Sequence, residues 1–469
     1  MPQSLLNHIP QEISMKKITA LGVVTLFAVC ATASTIWDGT ADTTWYTSNK
    51  NASVYRISTA EQLAGLERLV NHYVPYSCDS TIVYKNGVYN MKNKTIILDA
   101  DIMLNDTTGW ENWSDSSIWK ESLNLWHPIG YQSSEALGTT FKGTFDGNGR
   151  VISGIYVLAQ DIDLDNNARR KGNPGFFGVF TDTVEVKNLK ITASFVGNLT
   201  CTGSSLAVYA GGLVGHITNR ASNVTIMNCS FSGSVIVYGS GTRFIGGLIG
   251  YIQGGTDHII SDCFIMGKVG YISGSTISQG SFLGRTEGHG IVVNSYSTAQ
   301  ESSDRYRPGD WLSFLGYNPN RSFTTTNCYY DKEMCGYGDT ISASPKTTVE
   351  MKQKATYIGW DFDNVWTINP AYNDGYPIQK IFIDGTGSAV ISVPRIVGSN
   401  RVVKIRNGLS LNVKNSAKLE IFDLKGKLVY KKNLVDGVHS VSLARLPKGI
   451  YLARAAFGRE RVDLRVQVR

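Results

Sequence analysis

The stretch "YAGGLVGHITNRASNVTIMNCSFSG" (209–233) is followed by "FIGGLIGYIQGGTDHIISDCFIMG" (244–267), and the second restates the first. Both open on Gly-Gly-apolar-apolar-Gly, at Gly211, Gly212, Gly215 and at Gly246, Gly247, Gly250; both close on a polar residue before a cysteine, at Asn228 and Asp262. The glycine mark continues in "GFFG" (175–178), "SFLG" (281–284) and "SFLG" (313–316), so Gly178, Gly215, Gly250, Gly284 and Gly316 recur at spacings of 37, 35, 34 and 32 residues. A polar mark runs in phase at Asn188, Asn228, Asp262, Asn294 and Asn327. Two independent marks on one drifting period identify a repeat array.

Within one unit "GLVGHI", "VTIMNCSF" and "SVIVYG" read as three short strands separated by glycine or polar turns. The glycine content and the β-branched residues exclude helix here. A strand trio cannot bury its inner face alone, so it must stack on its neighbours, coil on coil. The expected fold is therefore all-β: a right-handed parallel β-helix over 94–335. Its glycines suit corners that need positive φ or close coil approach. The recurring Asn or Asp is expected as a polar ladder at one corner. Cys229 and Cys263 fall on adjacent coils, as a disulfide or an inert thiol pair, and Cys328 and Cys335 bracket a short loop; all four read as structural.

The flanks differ from the repeat. In the cap region, 34–93, Ser58-Thr59-Ala60-Glu61 has a capping-box pattern, with Leu63, Leu66, Leu69, Val70 and Tyr73 at helical spacing behind it. This predicts an amphipathic helix over 58–73 that plugs the solenoid's N-terminal end. Residues 336–385 read as a closure and linker. From 386 to 469 alternating segments such as "KLEIFDLKGKLVYKK" predict a small antiparallel β-sandwich. Residues 390–469 carry 17 Lys or Arg against 5 Asp or Glu, a balance of +12; since the whole chain is +7, the remainder is −5. The two parts are electrostatically different objects.

Lys16-Lys17, the apolar run Ile18 to Val29 and Ala31-Thr32-Ala33 have the order of a secretory signal peptide, which assigns 1–33 to a leader, with Met15 as its true start. No later apolar stretch is long enough for a transmembrane helix. The expected location is extracellular or on the outer cell surface, where nucleic acid is an improbable partner despite the positive charge.

"GGLVG" (211–215) and "GGLIG" (246–250), with "ISTAEQLAGL" (57–66), "WHPIG" (126–130), "FKGTFDGNGRVISGIY" (141–156), "NCYYDKE" (327–333) and "DGYP" (374–377), resemble the GLUG motif and its accompanying segments in bacterial surface and secreted proteins. "EIFDLKGKLVYK" (420–431), "LARLPKGIYLARA" (443–455) and the basic ending resemble the C-terminal sorting domains of type IX secretion. That resemblance implies the secretion machinery as a partner, and then surface attachment or release.

No His-Glu-x-x-His, Gly-x-Ser-x-Gly, Walker A or Cys-x-x-Cys pattern is present. Asp161, Asp163 and Asp165 alternate on one face of a strand, a pattern for Ca²⁺ or for a polysaccharide lyase or hydrolase, or else a solvated excursion; otherwise no cofactor is implied. In "WENWSDSSIWKESLNLW" (110–126), Trp110, Trp113 and Trp119 alternate with polar groups, as sugar-stacking rings or as packing. The leading functional expectation is a non-catalytic exported β-helix that binds polysaccharide or a surface protein. A secreted carbohydrate-active enzyme and a structural envelope protein are the alternatives.

Overall fold

The computed structural model describes residues 36–71, 89–114, 123–130, 140–159, 173–198, 207–221, 223–238, 241–272, 276–303, 313–319, 321–335, 341–384, 395–397, 400–405, 408–423, 425–443, 446–458 and 460–468. The repeats form a parallel β-solenoid of three sheets. Among the described residues the first sheet stacks eight strands, from Val54–Ile57 through Val224–Met227 and His258–Ser261 to Phe323–Thr326. Its pairs are in parallel register, for example Ile226 beside Ile260 and Ile260 beside Val292. The second sheet is bent. The two Gly-Gly repeats each supply one strand that ends on the first glycine, such as Ala207–Gly211, and one after the pair, such as Val214–Ile217, and both runs join on the continuous strand Thr276–Thr286. The third sheet contains the nine-residue strands Lys190–Asn198, Ser230–Tyr238 and Phe264–Ile272.

The core is the inner column of these coils. Val186, Ile226, Ile260 and Val292 are at most 1% exposed; because each lies beside its equivalent one rung away, every coil buries the next. Cys229, Cys263, Cys328 and Cys335 are buried and free, so the cysteine pairs serve as packing. Each of the first two thiols donates to the carbonyl two residues before it, Cys229 to Met227 at 3.2 Å and Cys263 to Ser261 at 3.1 Å.

The N-terminal helix spans Ala60–Asn71 and buries Leu63, Leu66, Leu69 and Val70 in the solenoid core. Its cap is centred on Thr59, one residue later than the sequence pattern suggests. The Gln62 amide N–H donates to Thr59 Oγ1 at 3.3 Å, and the Ser58 N–H donates to the Gln62 side chain at 2.8 Å. Tyr73 lies outside the described residues.

The C-terminal strands from Arg395–Val397 to Glu460–Val468 make one hydrogen-bonded antiparallel sheet of six strands. Its long strand Gly408–Asp423 pairs with Asn400–Ile405 along its first part and with Gly449–Phe457 along its last. A register shift between Val413 and Ser416 separates the two parts, and Leu409, Leu411, Leu419, Ile421 and Ala453 share a separate core.

Candidate functional site

Two corners of the coil carry the repeat's marks, and they solve different problems. None of Gly178, Gly211, Gly212, Gly215, Gly246, Gly247, Gly250, Gly284 and Gly316 adopts a positive φ. Their requirement is space. A Cβ on Gly212 would lie 2.6 Å from the Gly247 carbonyl oxygen, and one on Gly247 would lie 2.4 Å from the Ser281 carbonyl oxygen. The left-handed backbone falls instead on the polar mark: Asn188, Asn228, Asp262, Asn294 and Asn327 have φ between 48° and 55°. Asn and Asp tolerate that conformation better than other residues bearing a Cβ. Their side chains form a corner ladder, with Asn188 donating to Asp146, Asn228 to Asn188, Asn294 to Asp262 and Asn327 to Asn294 at 3.0–3.4 Å.

The bend at the glycine corner folds the coil's outer side onto itself and makes an aromatic crease. Tyr209, just before the Gly-Gly pair, meets His216, just after it, at 4.8 Å between ring centroids. One rung on, Phe244 stacks on Tyr209 at 5.1 Å and Tyr251 stacks on His216 at 5.1 Å. The next rungs place Arg285 beside Tyr251 and Tyr317 beside Arg285. The Arg285 guanidinium lies between two rings, 4.7 Å from the centre of Phe244 and 4.5 Å from that of Tyr317. Tyr209, His216, Phe244 and Tyr251 are nearly covered, whereas Tyr317 is 50% exposed.

Glu287 ties this edge together. One carboxylate oxygen accepts from Arg285 Nε at 2.9 Å and from the same guanidinium's terminal nitrogen, and the other accepts the Tyr251 hydroxyl at 2.5 Å. Burial raises the Glu287 pKa, but the Tyr251 hydroxyl and Arg285 outweigh it and hold the carboxyl below its ordinary range. The crease therefore ends in a paired guanidinium and carboxylate beside an open tyrosine ring. The sequence carried a signal for it: the residues immediately after the last glycine of each unit are Val179, His216, Tyr251, Arg285 and Tyr317.

The polar corner is covered. Ser344–Lys346 adds a last rung beside Tyr329–Asp331, and residues 347–384 then run back along the outside of the solenoid as a strap. The Tyr376 hydroxyl donates to Asp331, Trp360 Nε1 to the Asn327 carbonyl at 2.9 Å, and Trp366 Nε1 to Asp262 Oδ1 at 3.1 Å. Gln379 Nε2 donates to the Asp262 carbonyl at 2.6 Å. The strap's Trp360, Trp366 and Tyr357 pack on the outer-facing Phe264, Tyr296 and Tyr329.

The Trp-rich segment divides. Trp113 is 3% exposed and packs edge-on against Tyr156 at 5.6 Å, in a cluster with Phe195, Ile236 and Tyr238. Trp110 is half-buried beside that cluster. Trp126 is buried and stacked on Phe176. Trp119 and the three aspartates Asp161, Asp163 and Asp165 lie outside the described residues, as do the leader 1–33 and the remaining cysteines Cys30, Cys78 and Cys201. Among the described residues no group of three or more His, Cys, Asp or Glu is placed to hold a metal, and no helix is long and apolar enough to cross a membrane.

Residues 402–468 match the secretion system C-terminal sorting domain. The chain is thus an exported β-helix protein that engages the type IX secretion machinery and is delivered to the cell surface or the extracellular space. Over 135 residues it is 31% identical to a candidate Gly-rich membrane protein of Evansella cellulosilytica; the match covers 28% of this chain and only 15% of that relative's length. It is also similar to the crystal structure of a candidate immunoglobulin A1 protease from Bacteroides ovatus, at 17% identity and a TM-score of 0.43, over 70% of this chain and 92% of that one.

Proposed function

We propose that this exported β-helix binds polysaccharide, with the aromatic crease of the second sheet as its contact face. The reading is carried by the run of rings at successive rungs that ends on the open face of Tyr317 and the paired Arg285 and Glu287. Aromatic faces pack against sugar C–H surfaces, and guanidinium and carboxylate groups hydrogen-bond sugar hydroxyls. A rigid repeat adds weak contacts along one chain of sugars. Binding is favoured over hydrolysis because Glu287 is engaged through both oxygens and held ionised, which leaves it no proton to give a leaving group. In the Trp-rich segment, Trp110 keeps a partly open ring that extends the same kind of contact, whereas the Trp113 ring is closed against Tyr156.

The test is retention of the purified protein on a panel of immobilised plant and bacterial polysaccharides, with melting followed on the same samples. Arg285→Ala is expected to weaken retention about tenfold, the loss of a contact worth about 1.4 kcal/mol, with a modest fall in melting from the lost pairing with Glu287. Trp113→Ala is expected to lower stability by roughly 3–5 kcal/mol, because it empties a buried ring site, while the folded fraction retains its binding. Unchanged retention in Arg285→Ala would refute the crease as the contact face.

A further inference from the structure

The corner ladder contains a mismatch that can be counted. Between Asp146 and Asp262 stand two amides, Asn188 and Asn228, and three gaps. Each amide has one N–H side and one oxygen side to offer along the ladder. Two donors cannot fill three gaps, and turning either amide over only moves the vacancy. In the structure the vacancy falls between Asn228 and Asp262, where Asn228 Oδ1 is buried and has no hydrogen-bond partner. Asp262 occupies the equivalent position one rung on, with Met227 paired to Ser261 and the Asn228 N–H donating to the Ser261 carbonyl at 3.1 Å. Its Oδ1 is already taken by Asn294 and by Trp366 of the strap.

We propose that a proton on Asp262 closes this gap, its carboxyl O–H donating to Asn228 Oδ1, and that the strap is held more firmly when the proton is present. Asp262 is one of the residues on which the strap docks, held at its side chain by Trp366 and at its carbonyl by Gln379. Ionised, it sets a negative charge against the bare Asn228 oxygen, and the strap restricts the access of water to that half-buried carboxylate. Opening the strap relieves the conflict.

The groups that face Asp262 reinforce this. From the coils they are the Asn294 amide, Ser261 and the thiols of Cys263 and Cys328; from the strap they are the Trp366 indole and the Asp361 carboxylate, and no lysine or arginine is among the described groups acting on it. Burial pushes the Asp262 carboxyl up to about 6, against bonds from Trp366, Asn294 and Ser261 that pull it down, while Asp361 adds to the rise. The folded value lies above the ordinary value of 3.8, so the stabilisation is complete below about pH 4 and is lost as pH rises through about 6. Mild acid tightens the strap and neutral pH loosens it.

Asp262→Asn tests the proposal, since asparagine keeps the shape, tolerates the positive φ and supplies the missing N–H at every pH. The full chain is melted from pH 4 to pH 8 with and without the substitution. The two proteins are expected to melt together near pH 4, and the unsubstituted protein to fall several degrees behind by pH 7. Hydrogen exchange at pH 7 should localise the difference, with residues 360–384 exchanging more slowly in the variant. Asn228→Gly, which keeps the backbone freedom and removes the acceptor, should shrink the pH response of the chain. A melting difference that is the same at every pH, or a variant no more stable than the unsubstituted chain at pH 7, would overturn the proposal.

Discussion

The coil turns one corner on glycine and another on asparagine, and the two have opposite physical reasons. At Gly212 and Gly247 the backbone is ordinary and the surroundings are full: the carbonyl of the next coil stands where a side chain would begin. At Asn228 and Asn294 there is room for a side chain, and the backbone is the unusual part, with φ of 49° and 48°. Close approach at the glycine corner folds the outer surface into an aromatic crease with an open edge. At the asparagine corner the amides bond along the axis and a strap covers them. One repeat thus presents a face with an open aromatic edge and a face sealed by its own chain.

The largest expected effect tests the glycine corner. Gly247→Val places a branched Cβ 2.4 Å from the Ser281 carbonyl oxygen, a backbone atom with no rotamer to yield. Overpacking against backbone should cost about 3 kcal/mol or more, visible as a lower melting temperature and weaker near-ultraviolet circular dichroism. A variant that melts with the parent chain would show that the coils can separate there, and the contrast between the corners would fail.

A smaller effect is expected at the asparagine corner, and here two substitutions at one site separate backbone from side chain. Asn294→Ala loses the bonds to Asp262 and from Asn327 and puts alanine into a left-handed conformation, a combined cost of roughly 2 kcal/mol. Asn294→Gly loses the same bonds without the steric cost, so it should destabilise by about half as much. Chemical denaturation of both variants measures the difference. Equal losses would mean that the ladder bonds alone explain the asparagine and that the positive φ is incidental.

Much of this was legible before any coordinate, and the reason is local. A solenoid writes its fold into a period, so Gly215, Gly250 and Gly284 announced stacked coils, and Ala60–Asn71 announced itself by Leu63, Leu66 and Val70 on one stripe. The assignment of roles was harder. Positive φ and close approach both favour glycine, and only the carbonyl of the neighbouring coil distinguishes them. The strap's docking is not legible, because nothing near Trp366 names Asp262, 104 residues away, as its partner. The crease escaped because Tyr209, His216 and Tyr251 look like ordinary outward residues of alternating strands until the bend brings them together. In the Trp-rich segment, interleaved polar residues suggested open rings, yet Trp113 is buried by an outer-face cluster drawn from Tyr156, Phe195 and Tyr238.

The smallest expected change in stability belongs to Tyr317, and it is the most informative about the open edge. Its ring is 50% exposed and contributes its face to Arg285, an interaction that is weak where water competes. Tyr317→Ala should therefore lower stability by no more than about 1 kcal/mol. Its neighbours Phe244 and Tyr251 have been largely removed from water already and gain little from a ligand, whereas Tyr317 still has a face to bury. If sugars dock along the crease, that face is where newly buried apolar area arises, and retention on polysaccharide should fall more in Tyr317→Ala than the melting temperature does. Tyr317→Phe separates the ring from its hydroxyl: retention kept in Phe and lost in Ala identifies stacking, and retention lost in both identifies a hydrogen bond. If both variants bind like the parent chain, the edge is only the rim of a packed aromatic cluster, and the two corners differ in construction without differing in use.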